Sequence, residues 1–262
     1  MDWVLKKVLP VPEEPDRRAR AAGRPGVFRD MGVALLGQAL DPNGVSDKGL
    51  SRQIRAERRL GSKDRPLVTS VLYGVLRRKS LLERLLIETA EDISPLNLWK
   101  LELMLSYGLV PKEVDLSETL QNPMSVLQAW MDRKESDSLE TLAILSSLPL
   151  WLVRLLEQQE SEEDLASLCV SLSEPAETTL RVNTSKCSVE RLSRELQEEG
   201  VSIQSGRHSL EALRVEGRPN LMGSRAFREG LFEIQHEASQ LVAELVEPVR
   251  GGLHLDYCAG AA

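Results

Sequence analysis

The feature that most constrains this chain is a change in the period of its apolar residues near Pro175. Between Val27 and Leu148 they recur at i, i+3 and i+4, the repeat of helices that bury one face. Val33, Leu35, Leu36 and Leu40 form the first stripe, and Asp41-Pro42-Asn43-Gly44 ends it with turn chemistry. A second helix runs through Leu60, and Asp64 to Ala90 reads as two helices with little break. Leu96 to Leu109, Leu120 to Met131 and Leu139 to Leu148 continue the pattern, punctuated by Pro111. Another helix opens at Pro149-Leu150-Trp151, and Leu165 to Leu172 resumes after the acidic stretch from Glu157 to Asp164. After Pro175 alternation takes over in Thr179 to Asn183, Ala212 to Val215 and Gly230 to Ile234. Ser188 caps a helix through Glu199 that Gly200 closes, and a last helix spans His236 to Val246. A helical front followed by a small mixed unit is therefore expected.

Residues 1–26, rich in Pro, Glu and Arg, show no apolar periodicity and are expected to form a mobile tail. No stretch approaches the roughly 18 apolar residues of a membrane span, and the N-terminus lacks a signal-peptide run, so a soluble cytoplasmic protein is expected. Cys169, Cys187 and Cys258 lie far apart, which leaves neither a disulfide framework nor a zinc site and fits a reducing compartment. Trp99, Trp130 and Trp151 are expected in the core.

The formal charge of -7 argues against bulk nucleic-acid binding, but the two halves differ. Residues 1–135 hold 22 Lys and Arg against 19 Asp and Glu, and residues 136–262 hold 11 against 21. Arg52, Arg55, Arg58, Arg59, Lys63, Arg65, Arg77, Arg78 and Lys79 face only Glu57 and Asp64 in their stretch. Such a cluster is either a solvated helix face or a site for a nucleic-acid backbone. In the second half Arg181 and Asn183 sit on a strand. They suit phosphate and base-edge contacts, or Arg181 pairs with Glu177 or Glu190 while Asn183 ends the strand.

The chain finishes on Leu253-His254-Leu255-Asp256, a short alternating strand, followed by Tyr257-Cys258-Ala259-Gly260-Ala261-Ala262. An acidic residue closing a strand before small side chains lets backbone N–H groups approach a nucleotide-type ligand. Residues Asp256 to Ala262 resemble the Asp-x-Cys-Ala-Ala-Pro-Gly-Gly-Lys loop of the RsmB/Sun family of RNA cytosine-C5 methyltransferases. Upstream segments resemble the same family in the same order. They are Phe227-Arg228-Glu229-Gly230 with Phe232 to Gln240, Leu180 to Thr184, and Arg65 to Thr69 with Tyr73 to Arg78. The pattern departs at Gly260, Ala261 and Ala262, where Ala in place of Gly narrows the allowed backbone angles.

The resemblance implies an all-α NusB-like domain over residues 27–148 and a helical linker over 149–174. An α+β RNA-binding subdomain over 175–247 and the first strand of a truncated Rossmann-like α/β methyltransferase domain over 248–262 would follow. It implies S-adenosylmethionine at an incomplete site formed by Asp256, Tyr257, Cys258, Ala259, Gly260, Ala261 and Ala262. Ribosomal RNA of the small subunit is the implied partner, contacted by Arg181, Asn183, Arg58, Arg59, Arg77 and Arg78. The protein would be a monomer that binds no DNA and no membrane. Methylating carbon five of cytosine needs a thiolate on carbon six and a base to remove the proton. The family's catalytic cysteines lie in later motifs, so the chain is expected to hold no catalytic residue and no metal and to be inactive alone. His236 and Gln235 are weaker candidates, with helix capping or core hydrogen bonding as their other reading. The competing function is a non-enzymatic NusB-like RNA-binding or antitermination accessory protein.

Overall fold

The computed structural model describes residues 2–9, 12, 17–61, 64–133, 138–217, 219–247, 251–253, 255 and 257. The chain divides into two compact units at the Glu174–Pro175 boundary.

The first unit is helical. Its elements are α1 (Asp2–Val8), α2 (Arg17–Gly23), α3 (Val27–Leu40), α4 (Asp47–Ala56), α5 (Asp64–Arg77) and α6 (Lys79–Glu88). They are followed by α7 (Pro95–Tyr107), α8 (Pro111–Val114), α9 (Pro123–Arg133), α10 (Ser138–Ser146), α11 (Leu150–Glu157) and α12 (Glu162–Ser173). Helix α7 is the centre. Ser94 caps its start by accepting from the Asn97 N–H at 3.2 Å, Pro95 occupies the first turn, and Gly108 ends it in the left-handed region. Leu98, Trp99, Leu101, Leu103, Met104 and Leu105 are all buried, so α7 is apolar round most of its circumference and α2, α3, α5 and α6 pack against it. Trp99 donates its indole N–H to the Ala22 carbonyl at 3.0 Å and lies where Gly32 leaves room in α3.

Several expectations change here. Residues 2–8 are helical, and Val4, Leu5, Val8 and Leu9 are buried, with α1 packed on α10 and α12. Ala19 and Ala22 of α2 are buried too. The expected mobile tail over 1–26 is thus overturned for its described residues, because a short apolar stripe finds a ready groove. Residues 149–174, expected as a helical linker, form helices α11 and α12, which share a core with α10 through Leu142, Val153, Leu165 and Cys169 and belong to the first unit. Trp151 is 66% exposed on α11, unlike buried Trp99 and Trp130. Its neighbour Val153 takes the inward position of that helix.

The second unit contains β1 (Thr178–Val182), α13 (Val189–Glu198), β2 (Ile203–Ser205), β3 (Ala212–Val215), α14 (Arg225–Arg228), β4 (Phe232–Ile234) and α15 (Glu237–Leu245). Its strands form one antiparallel sheet in the order β2-β3-β1-β4, with Leu180 paired to Leu213 on one side and to Ile234 on the other. Leu180, Val182, Leu213, Val215 and Phe232 point to one face and meet Leu192 and Leu196 of α13. Ser188 caps α13 by accepting from the Arg191 N–H, and Gly200 closes the turn at φ 82°. Helix α15 contributes nothing to that cluster and is held to β1 by polar contacts. Gln240 donates to the carbonyls of Leu180 (3.3 Å) and Gln235 (2.9 Å). The strand expected at Leu253 to Asp256 is not formed among the described residues. Leu253 and Leu255 are exposed coil with no strand to complete their ladder. His254 and Asp256 lie outside the described residues.

Candidate nucleic-acid interface

In the second unit the two strand residues expected to meet RNA are occupied internally. Arg181 lies 3.6 Å from Glu211, not beside Glu177 or Glu190. Asn183 donates its side-chain N–H to the Gly230 carbonyl at 3.1 Å and accepts from the Ser185 hydroxyl at 2.5 Å, which ties the end of β1 to the turn before β4. The hollow around them is flanked by Glu211 and Glu233. Elsewhere on this unit Arg207 and Arg214 share Glu177, Arg191 pairs with Glu195 and Arg225 with Glu229. These pairings compensate five arginines of the unit, whereas exposed Lys186 and Arg228 donate to backbone carbonyls.

The front cluster separates into two groups. Arg59 grips Glu57 through two nitrogens at 2.9 and 2.7 Å, which holds the Glu57 carboxyl down to about 2. Arg78 turns inward to Glu102 and Ser106, Lys79 pairs with Glu83, and Arg65 donates to the Glu57 carbonyl. Arg77 lies half-buried near Glu102 and adds to the positive field on that carboxylate. Lys63 lies outside the described residues. Arg52, Arg55 and Arg58 remain exposed, and Lys48, one turn before Arg52, is exposed with them. Spacing i, i+4, i+7 puts Lys48, Arg52 and Arg55 on one face of α4, opposite buried Leu50 and Ile54. Lys48 falls just outside the charged stretch, although its spacing from Arg52 was readable.

At the chain end only Tyr257 of the expected cofactor loop is described, and its ring is exposed. Asp256, Cys258, Ala259, Gly260, Ala261 and Ala262 lie outside the described residues. His236 caps α15, accepting at Nδ1 from the Ala238 N–H at 3.2 Å. Cys169 and Cys187 are buried thiols whose pKa burial pushes up, the opposite of an activated nucleophile. Among the described residues no group of His, Cys, Asp and Glu is placed to hold a metal, and no helix is long and apolar enough to cross a membrane.

Residues 148–221 match the family model described as Methyltr_RsmF/B-like, ferredoxin-like domain. Over 88% of its length the chain is 24% identical to the probable ribosomal RNA small subunit methyltransferase B of Bacillus subtilis. It is 23% identical, over the same share, to the corresponding protein of Synechocystis. By its sequence the chain is similar to the RsmB/Sun family. These matches cover 57% and 58% of the two relatives, so the chain spans a little over half their length. The crystal structure of PH0851 superposes on 84% of the chain and 55% of its own with a TM-score of 0.55 at 19% identity, a likeness of fold.

Proposed function

We propose that this chain is the front part of an S-adenosylmethionine-dependent rRNA (cytosine-C5) methyltransferase. In this reading the helical unit is NusB-like and meets RNA, and the sheet unit follows as a second RNA-binding body. The segment from Asp256 to Ala262 begins the cofactor loop. Catalytic cysteines would come from sequence beyond these residues, and small-subunit rRNA would be the substrate.

The observation that carries the reading is the match, over 88% of the chain, to proteins named as ribosomal RNA small subunit methyltransferase B. The four-stranded antiparallel unit supports it, because β1, β2 and β3 lie within the residues that match the ferredoxin-like family model. Within the RNA-facing set, exposed Arg58 suits a phosphate better than Arg59 and Arg78, which are held by Glu57 and Glu102.

The test joins this chain to the part of the Bacillus subtilis relative that follows its cofactor loop. The chimera is incubated with small-subunit rRNA and labelled S-adenosylmethionine, and 5-methylcytosine is mapped by bisulfite sequencing. Label at a discrete cytosine is expected. A chimera that folds and binds S-adenosylmethionine but leaves every cytosine unmodified would sink the proposal.

A further inference from the structure

We propose that single-stranded RNA binds the groove between α3 and α4, with its phosphates on the basic face of α4 and one unstacked base in the groove. The substrate class rests on the rRNA reading above; the residues come from the geometry.

Lys48, Arg52 and Arg55 follow one another up α4, and at 1.5 Å per residue they form a track about 10 Å long. Buried Leu50 and Ile54 fix the helix so that this track faces solvent. Among the described residues no carboxylate pairs with these three or with Arg58, although Arg59, Arg78 and Lys79 nearby all find one. Arg55 engages only its Nε, with the Ser51 carbonyl of its own helix. Like charges one turn apart lower helix stability, so this uncompensated row works against the fold of an otherwise acidic protein. A polyanion laid along it reverses the sign of that interaction.

The groove lies immediately beside the track. Ala56, one turn after Arg52, forms part of its wall together with Glu57, whose carboxylate Arg59 pairs, and Arg58 stands at its rim. Met31, Ala34 and Leu35 of α3 give it an apolar floor, and its volume is about 550 Å³. Across it the Gln53 amide donates to the Gln38 oxygen at 3.1 Å. That contact leaves the Gln53 oxygen as an acceptor and the Gln38 amide as a donor, the complementary pair that a base edge presents. A polarisable thioether and an aliphatic floor suit the face of a base. The combination requires an unpaired strand, because the bases of an A-form helix stay stacked and cannot enter a side pocket.

The experiment is fluorescence anisotropy with the 262-residue chain and a labelled, unstructured RNA of about 12 nucleotides. Potassium chloride is varied from about 50 to 300 mM. Replacing Lys48, Arg52 and Arg55 together by Gln should weaken binding about tenfold or more near 100 mM salt. It should also flatten the slope of log K against log salt by about 2, at roughly 0.7 per lost contact on a single strand. Ala34→Trp, which fills the groove, should weaken binding and leave the slope unchanged. Arg225→Gln, in the second unit, should alter neither. All the substituted side chains are solvent-facing or half so, and circular dichroism melts matching the parent would establish that the variants fold. Absence of binding by the parent at the lowest salt overturns the proposal, as does an unchanged slope in the triple variant. Full affinity in Ala34→Trp overturns the base pocket. Competition by polyglutamate as effective as that by unlabelled RNA would assign the surface to an acidic protein and also overturn it. The assay holds no methyl donor, so its outcome is independent of whether the methylation test succeeds.

Discussion

The Arg78 guanidinium, at the junction of α5 and α6, donates to the carboxylate of Glu102 in α7, with both side chains largely buried. Ser106 joins them, accepting from Arg78 at 2.5 Å and donating to the other Glu102 oxygen at 2.9 Å. Gly74 makes the pair possible, since a Cβ there would lie 2.1 Å from the nearer Glu102 oxygen. The Tyr73 to Arg78 segment that resembled a family motif is therefore occupied with packing. Removing one partner of a buried pair strands the other charge, at a cost of about 3–5 kcal/mol. Arg78→Gln is expected to lose stability of that order in urea titration, with no change in the salt slope of RNA binding by the folded fraction. A flattened slope would return Arg78 to the RNA surface.

Burial pushes the Glu102 carboxyl up, and Arg78 is the main group opposing that shift. The Glu102 carboxyl is already raised in the parent, and without Arg78 it would be pushed up further, so the folded variant would hold the proton to higher pH than the parent does. The native state then binds more protons, so stability falls as pH rises through the ordinary carboxylate range. Arg78→Gln should accordingly be less destabilised at about pH 4.5 than at pH 7, relative to the parent at each pH. An equal loss at both would mean that Glu102 remains ionised without its partner.

Trp99 makes the same kind of demand on a glycine. A Cβ on Gly32 would lie 2.3 Å from the Cη2 atom of its ring, whereas one on Gly37, also in α3, would meet only Pro95 Cγ at 3.8 Å. Gly32→Ala should destabilise by about 1–3 kcal/mol through overpacking. Gly37→Ala should be neutral or stabilise by up to about 1 kcal/mol from helix propensity. Thermal melts of the two variants distinguish the effects, and equal melting temperatures would contradict this packing.

Glu237 fastens α15 to the loop before β3. Its carboxylate accepts the N–H groups of Ser209 at 2.8 Å and His208 at 2.6 Å, and these bonds hold its pKa below the usual carboxylate range. A depressed pKa gives stability that is fully present above the unfolded value, near 4.3, and is lost as pH falls through the lower folded value. Acid should therefore loosen α15, and Glu237→Gln should remove that part of the pH dependence. Amide exchange of His208 and Ser209 followed between about pH 5 and pH 3 checks this. Identical acid profiles for the parent and Glu237→Gln would refute it.

The apolar period was sufficient to read α3, α5, α6, α7 and α10, because each carries a buried stripe several turns long. It missed β2, whose three residues Ile203 to Ser205 bury little, and α1, whose stripe of Val4, Leu5 and Val8 is too short to stand out. The RNA-facing set was harder because charge counting along the chain ignores partners from elsewhere. Arg78 meets Glu102, 24 residues away, and Arg181 meets Glu211 across the sheet. What survives is the set whose spacing on α4 was visible from the start but whose freedom from carboxylates needed the fold.

The end of the chain gives the last test. Leu253 is 100% exposed, Leu255 84% and Tyr257 91%, three apolar side chains in close succession with their surface in water. Apolar groups so placed gain about 25 cal/mol per Å² when another element covers them, whereas their amides here have no described ladder to protect them. In the 262-residue chain the Leu253 and Leu255 amides should exchange at nearly the rate of an unstructured peptide, while Leu180 and Val182 of β1 exchange slowly. In the chimera with the Bacillus subtilis segment the same two amides should become protected, as members of a buried parallel strand. Protection already present in the shorter chain, or none in the chimera, would show that Leu253 to Asp256 does not begin the cofactor domain.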